Sequence, residues 1–88
     1  MEIREFQRLI AEKYERRDRE RGSAATFMWF VEEVGELATA LAKDAPEADK
    51  AEEFADVLAW LCTLANINEV DLEQACSKYT GPDVKGFK

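Results

Sequence analysis

The sequence predicts an all-α fold: a small antiparallel helical bundle, with three main helices plus a short fourth, that oligomerises. Apolar residues recur at three- and four-residue intervals along three long stretches, which is the period of an amphipathic helix. No segment has the length and alternation of a strand. The 88 residues form a single domain, 1–88, whose core is too small to bury apolar stripes on three helices. At least a dimer is therefore expected.

The first helix is predicted from Glu2 to about Arg21. Its apolar positions are Ile3, Phe6, Leu9, Ile10 and Tyr14. The charged run at residues 16–21 is interpreted as a solvated last turn; alternatively, one of its arginines reaches a phosphate at the rim of a site. Gly22 ends this helix, and Ser23 is the predicted N-cap of the next.

The second helix is predicted from about Ala24 to Lys43. Pro46 fits the first turn of the third helix, which continues to about Asn68. Asp71 with Gln74 resembles a capping box that opens a short fourth helix from Leu72 to Tyr79. Residues 80–88 have no periodicity, so we expect a tail that is flexible or ordered by a partner chain.

Composition excludes several classes of function. A net charge of −7 argues against binding to a nucleic-acid polymer, since such binding depends on cationic contacts to phosphate. With no signal peptide and no apolar run near 20 residues, the protein is expected to be cytoplasmic and away from membranes. The two cysteines lack metal-site spacing and are expected as reduced thiols. The absence of histidine excludes Ser-His and Cys-His nucleophiles and histidine-containing zinc sites.

Acidic residues border the apolar stripes of the second and third helices. Glu32, Glu33 and Glu36 lie on the second helix, and Glu53 and Asp56 on the third. If these helices pack antiparallel, Glu33 and Glu36 face Glu53 and Asp56 and form a divalent-cation site. Ligation by oxygen alone favours Mg²⁺ or Mn²⁺ over Zn²⁺. Glu32 is then the natural acceptor of a proton from an attacking water. A plain solvated acidic face is the alternative.

Two tryptophans accompany the acids. Trp29 lies one turn before Glu33, and Trp60 one turn after Asp56. Each ring is a candidate platform for stacking a nucleobase. The alternative is that both are buried in a contact between helices.

The paired acidic motifs resemble the signature of the MazG-like, all-α nucleoside triphosphate pyrophosphohydrolases. The segments FVEEVGELATAL, EEFADVLAWLCTLAN and DLEQACSKY look like that family, over roughly Ile3 to Tyr79. The resemblance implies a homodimer or homotetramer of helical bundles and Mg²⁺-dependent attack on the α-phosphate of a nucleoside triphosphate. The implied metal-binding acids are Glu33, Glu36, Glu53 and Asp56, and Glu32 binds a second metal or orients the water. It also implies that Trp60 contacts the base and that Lys43 and Asn66 contact phosphate and nucleotide.

The substrate and the class of function stay open at this stage. The chain carries one copy of the motif, as in single-domain members, and related all-α families act on dUTP or phosphoribosyl-ATP. The base is not determined by the motif, because discrimination depends on pocket shape. From other classes, the alternatives are a non-catalytic helical interaction module and a nucleotide sensor without turnover.

Overall fold

The computed structural model describes residues 1–80, and over that range the protein is all-helical, as predicted. The elements are α1 (Ile3–Arg21), α2 (Ser23–Ala42), α3 (Glu47–Ile67), α4 (Leu72–Ala75) and a 3₁₀ turn (Cys76–Tyr79). Among these residues there is no helix with both the length and the apolarity to cross a bilayer. The expectation for residues 80–88 falls, apart from Thr80, outside the described residues.

The connection between α1 and α2 is a single residue, Gly22. Its φ of 83° lies in the left-handed region that favours glycine, and its N–H donates to the Asp18 carbonyl at 3.0 Å. Ser23 is already the first residue of α2, so the predicted N-cap at Ser23 is wrong: so short a connection leaves the capping position to Gly22. The Ser23 hydroxyl instead accepts a hydrogen bond from the Asn68 amide at 3.0 Å.

The later boundaries differ from the prediction by small shifts. Pro46 occupies the N-cap of α3, one residue before the predicted position in its first turn. Asp71 caps α4 as predicted, its side chain accepting from the Gln74 N–H at 3.2 Å. The predicted fourth helix is α-helical for only half its length and continues as the 3₁₀ turn, a common form at helix ends.

Helix α3 is the centre of the molecule and packs against both α1 and α2. A polar clasp built on Gln7 ties α1 to the end of α3. The Gln7 side-chain amide donates to Asn66 Oδ1 at 3.0 Å and to the Val70 carbonyl at 2.7 Å, and its Oε1 accepts from the Leu72 N–H at 2.9 Å. In return, the Asn66 amide donates to the Gln7 carbonyl at 3.2 Å.

The apolar stripes of α2 and α3 are only partly covered by the chain itself. The buried apolar residues among residues 1–80 are few: Ile10, Ala40, Ala45, Cys62 and Ala65. Besides Met28 and Trp29, seven large apolar side chains of α2 and α3 remain 38–54% exposed. We call them the outer apolar residues: Phe27, Val31, Val34, Leu41, Phe54, Leu58 and Leu61. Helical spacing therefore predicted the stripes correctly, while folding of one chain leaves much of them in contact with water.

Candidate metal centre

The facing acids of α2 and α3 meet where the two helices pack. Carboxylate oxygens of Glu33, Glu53 and Asp56 all lie within 4.8 Å of one another, and all three residues are partly buried. The order of facing residues, Trp29 with Trp60 and Glu33 with Asp56, is that of antiparallel helices. The convergence expected from the two motifs is thus present in the fold.

Burial and mutual repulsion disfavour the ionised form of the carboxylates in this cluster. Desolvation raises the pKa of Glu33, and the charges of Glu36, Asp56 and Glu53 raise it further. Desolvation likewise raises the pKa of Glu53, followed by the charges of Glu36, Asp56 and Glu52. The Oε2 atoms of Glu33 and Glu53 are buried without a hydrogen-bond partner among the described residues. A divalent cation fits this donor set, because it would relieve the repulsion and occupy the unpartnered oxygens.

Glu36 and Glu32 differ in how they relate to the three converging acids. Glu36 is exposed, and its charge raises the pKa of both Glu33 and Glu53. It therefore joins the cluster from the solvent side. Glu32 is also exposed but is absent from the group of converging carboxylates within residues 1–80. A role for Glu32 in proton transfer remains a prediction.

The two tryptophans stack on each other beside the acids. Their ring centroids are 6.2 Å apart and their planes are inclined by 18°. Trp29 is 47% exposed, while Trp60 is partly buried with the Arg21 guanidinium 5.0 Å from its ring centroid. The tryptophans therefore do make a contact between helices, yet about half of Trp29 stays open to a ligand.

Lys43 and Asn66 have different surroundings. Lys43 lies on a groove of about 440 Å³ whose lining includes Glu36 and Glu53, so it faces the same region as the acids. Asn66 is held in the clasp, where its oxygen accepts from Gln7 and its amide donates to the Gln7 backbone. The structure thus brings Lys43 to the acids and keeps the Asn66 amide engaged elsewhere.

Sequence reasoning missed Asp18, which is buried in the charged run at the end of α1. Its side chain is 4% exposed and forms an ion pair with Arg21 at 3.1 Å. The solvated interpretation of residues 16–21 is therefore wrong for Asp18. A signal was present: Asp18 follows Ile10 by eight residues, about two helical turns, and so lies on the face of α1 that buries Ile10.

These features define an all-helical protein with a carboxylate-lined centre between two antiparallel helices, of the kind that binds a divalent cation. The chain belongs to the MazG family: the model of the MazG nucleotide pyrophosphohydrolase domain matches residues 21–81. That range includes the four clustered acids and both tryptophans, and it leaves most of α1 outside. No curated protein matches the chain.

Proposed function

We propose that the protein hydrolyses nucleoside triphosphates between the α- and β-phosphates, giving the nucleoside monophosphate and pyrophosphate, with Mg²⁺ or Mn²⁺ as cofactor. The observation that carries the proposal is the convergence of Glu33, Glu53 and Asp56, two of which keep a buried oxygen without a partner. An acidic cluster by itself is common, but here it lies in a chain of a nucleotide pyrophosphohydrolase family.

In this proposal Glu33, Glu36, Glu53 and Asp56 hold the cation. When bound, the cation neutralises negative charge on the phosphates of the substrate. A water oxygen forms a bond to the α-phosphorus while the bond from that phosphorus to the bridging oxygen breaks, and pyrophosphate leaves. Glu32, the exposed neighbour of the cluster, accepts the proton released by the water.

The remaining parts of the substrate have candidate partners on either side of the acids. The half-exposed face of Trp29 and its stacked neighbour Trp60 offer aromatic surface to the base. Lys43, on the groove that borders Glu36 and Glu53, offers a positive charge to the outer phosphates. Asn66 is left out of the proposed site, since a contact with the nucleotide would break its bonds to Gln7.

We also propose that the outer apolar residues are covered by a second copy of the chain. Their seven side chains are 38–54% exposed, and burying an aromatic or leucine side chain stabilises by roughly 1.5–3 kcal/mol when complete. A homodimer, or a tetramer built from two dimers, would remove this surface from water. Sedimentation of Leu58→Glu should give a smaller species than the wild-type protein, and an unchanged monomer for both proteins would contradict the proposal.

The experiment that tests the activity is product analysis. The protein is incubated with each canonical nucleoside triphosphate and with dUTP, first with Mg²⁺ and then with EDTA. We expect monophosphate and pyrophosphate only with Mg²⁺, and loss of turnover in Glu53→Gln. The matched control is Glu47→Gln, an exposed acid in the first turn of the same helix, which should retain full activity.

Other products would contradict the proposal in recognisable ways. Nucleoside diphosphate and orthophosphate would show that the bond between the β- and γ-phosphates is the one that breaks. Mg²⁺-dependent binding of a nucleotide without product would favour a sensor. A protein that neither binds nor hydrolyses any of these nucleotides would be an interaction module.

A further inference from the structure

A second cavity lies between α1 and α3, next to the stacked tryptophans and apart from the acids. Its volume is about 260 Å³, somewhat below the roughly 300–1,000 Å³ of pockets for drug-sized ligands. A cavity of this size suits one planar base, either a single ring or a fused pair of rings. The side chains that matter here are Tyr14, Arg17, Asp18, Arg21, Trp60 and Thr63. Trp60 forms a wall of this cavity and also stacks on Trp29.

The position of the cavity along α3 matches the layout of a nucleotide. Trp60 follows Asp56 by four residues, which is about 6 Å along a helix, and Thr63 follows by another turn. The groove with Lys43 lies at the other end, beside Glu53. The groove with Lys43, the acids and the cavity walled by Trp60 therefore succeed one another in the order of outer phosphates, α-phosphate and base.

The cationic groups in the lining of the cavity are hydrogen-bond donors, while the hydroxyls of Tyr14 and Thr63 can donate or accept. Arg17 is exposed, and within residues 1–80 its guanidinium has neither an ion pair nor a hydrogen bond. Arg21 is held in place: it pairs with Asp18 at 3.1 Å, donates to the Thr26 hydroxyl at 3.3 Å and lies over Trp60. A guanidinium donates five N–H groups and accepts none.

The one carboxylate in the lining cannot balance these donors. One oxygen of Asp18 is engaged by Arg21, and the other is shut off from solvent and hence from the cavity. A ligand with an acceptor oxygen therefore finds an unpaired donor in Arg17. Among the canonical bases, guanine, cytosine, uracil and thymine carry a carbonyl oxygen, whereas adenine presents an amino group and ring nitrogens.

We infer that this cavity receives the base of the nucleotide, and that Arg17, with Arg21 as a second donor braced by Asp18, selects bases with a carbonyl oxygen over adenine. The inference rests on the proposed function for the identity of the ligand. It assigns a specificity-determining role to a residue of α1 that lies outside the range matched by the family. Adenine is disfavoured because the N–H groups of its amino group would face the N–H groups of Arg17, and neither side could accept a hydrogen bond.

The test compares inosine monophosphate with adenosine monophosphate, two purine nucleotides of nearly equal size. Position 6 is a carbonyl in the first and an amino group in the second, and N1 correspondingly carries a proton in the first and accepts in the second. Binding is followed by the fluorescence of the two tryptophans, both of which lie at the site. We expect the inosine nucleotide to bind the wild-type protein roughly 10- to 100-fold more tightly, the range for one charged hydrogen bond. Arg17→Ala should remove most of that difference by weakening the inosine nucleotide alone.

The matched control is Arg16→Ala, which removes the same charge from the neighbouring position. The Arg16 side chain is 95% exposed and is absent from the lining of the cavity, so both affinities should stay unchanged. If Arg17→Ala weakened both nucleotides equally, the arginine would bind phosphate and the inference would be wrong. Equal affinities in the wild-type protein, or no saturable binding of either nucleotide, would also overturn it.

Measurements of turnover distinguish a failure of this inference from a failure of the proposed function. With inosine and adenosine triphosphates, the ratio of kcat/KM values should shift toward unity in Arg17→Ala while the wild-type ratio favours inosine. If no nucleoside triphosphate is hydrolysed, the proposed activity fails, and the fluorescence titrations still decide whether the cavity discriminates between the two bases.

Discussion

Replacing Asp18 by asparagine removes the charge that holds Arg21 at the corner between α1 and α2. The Asp18 side chain is 4% exposed and that of Arg21 20% exposed, with 3.1 Å between the paired atoms. Breaking a buried pair by removing one partner costs about 3–5 kcal/mol, because the other charge stays buried. Arg21 keeps part of its exposure and its contacts with Thr26 and Trp60, so we expect about 2–3 kcal/mol. For a domain of this size that lowers the melting temperature by roughly 8–24 °C.

Urea unfolding, followed by far-ultraviolet circular dichroism at one protein concentration near neutral pH, measures this loss. The double variant Asp18→Asn with Arg21→Met should be more stable than the sum of the single losses predicts, because it leaves no unpaired charge. Arg16 and Glu20 provide the matched control, a pair on the same helix with side chains 95% and 73% exposed. Glu20→Gln should cost less than about 0.5 kcal/mol. An equally small loss in Asp18→Asn would refute the argument that burial makes this pair important.

Three further outcomes are expected. Glu53→Gln should abolish turnover and, in EDTA, raise the melting temperature, because one repelling charge leaves the cluster; an activity equal to that of Glu47→Gln would contradict this. Hydrogen bonding from the Gln74 backbone lowers the pKa of Asp71, so its contribution to stability is present above the ordinary aspartate pKa and is lost as the pH falls through the lowered value. Melts of Asp71→Ala should therefore differ from wild type near neutral pH and converge in acid. Gln7→Ala should cost about 2–3 kcal/mol in urea unfolding, since it leaves the partners of the clasp unpaired, whereas the exposed Gln74→Ala should cost little.

The helices and the acidic cluster could be predicted because they depend on spacing within one helix. Glu33 and Glu36 share a side of α2, and Glu53 and Asp56 share a side of α3, because residues three apart lie close together on a helix surface. Antiparallel packing then needed only a short connection between the two helices, which Lys43 to Pro46 supplies. The same spacing placed both tryptophans on the flank of the acids.

Helical spacing did not predict the features in which a residue's surroundings come from distant parts of the chain. Asp18 looked solvated among charged neighbours, yet it is buried because α1 packs against α3. Asn66 is engaged by Gln7, 59 residues away in sequence. Ser23 lost its predicted capping role because Gly22 alone makes the turn, and its hydroxyl meets Asn68 from the end of α3.

The sequence by itself determined the helical class, the four acids and the resemblance to a nucleotide pyrophosphohydrolase family, since all of these depend on local periodicity and residue type. Only the tertiary structure decided that two carboxylate oxygens are buried without partners and that Arg21 is braced over Trp60. It alone showed that the outer apolar residues stay partly exposed to water. The physical reason is that burial and hydrogen-bond partners depend on which surfaces of separate helices pack together. The spacing of residues within one helix does not determine that packing.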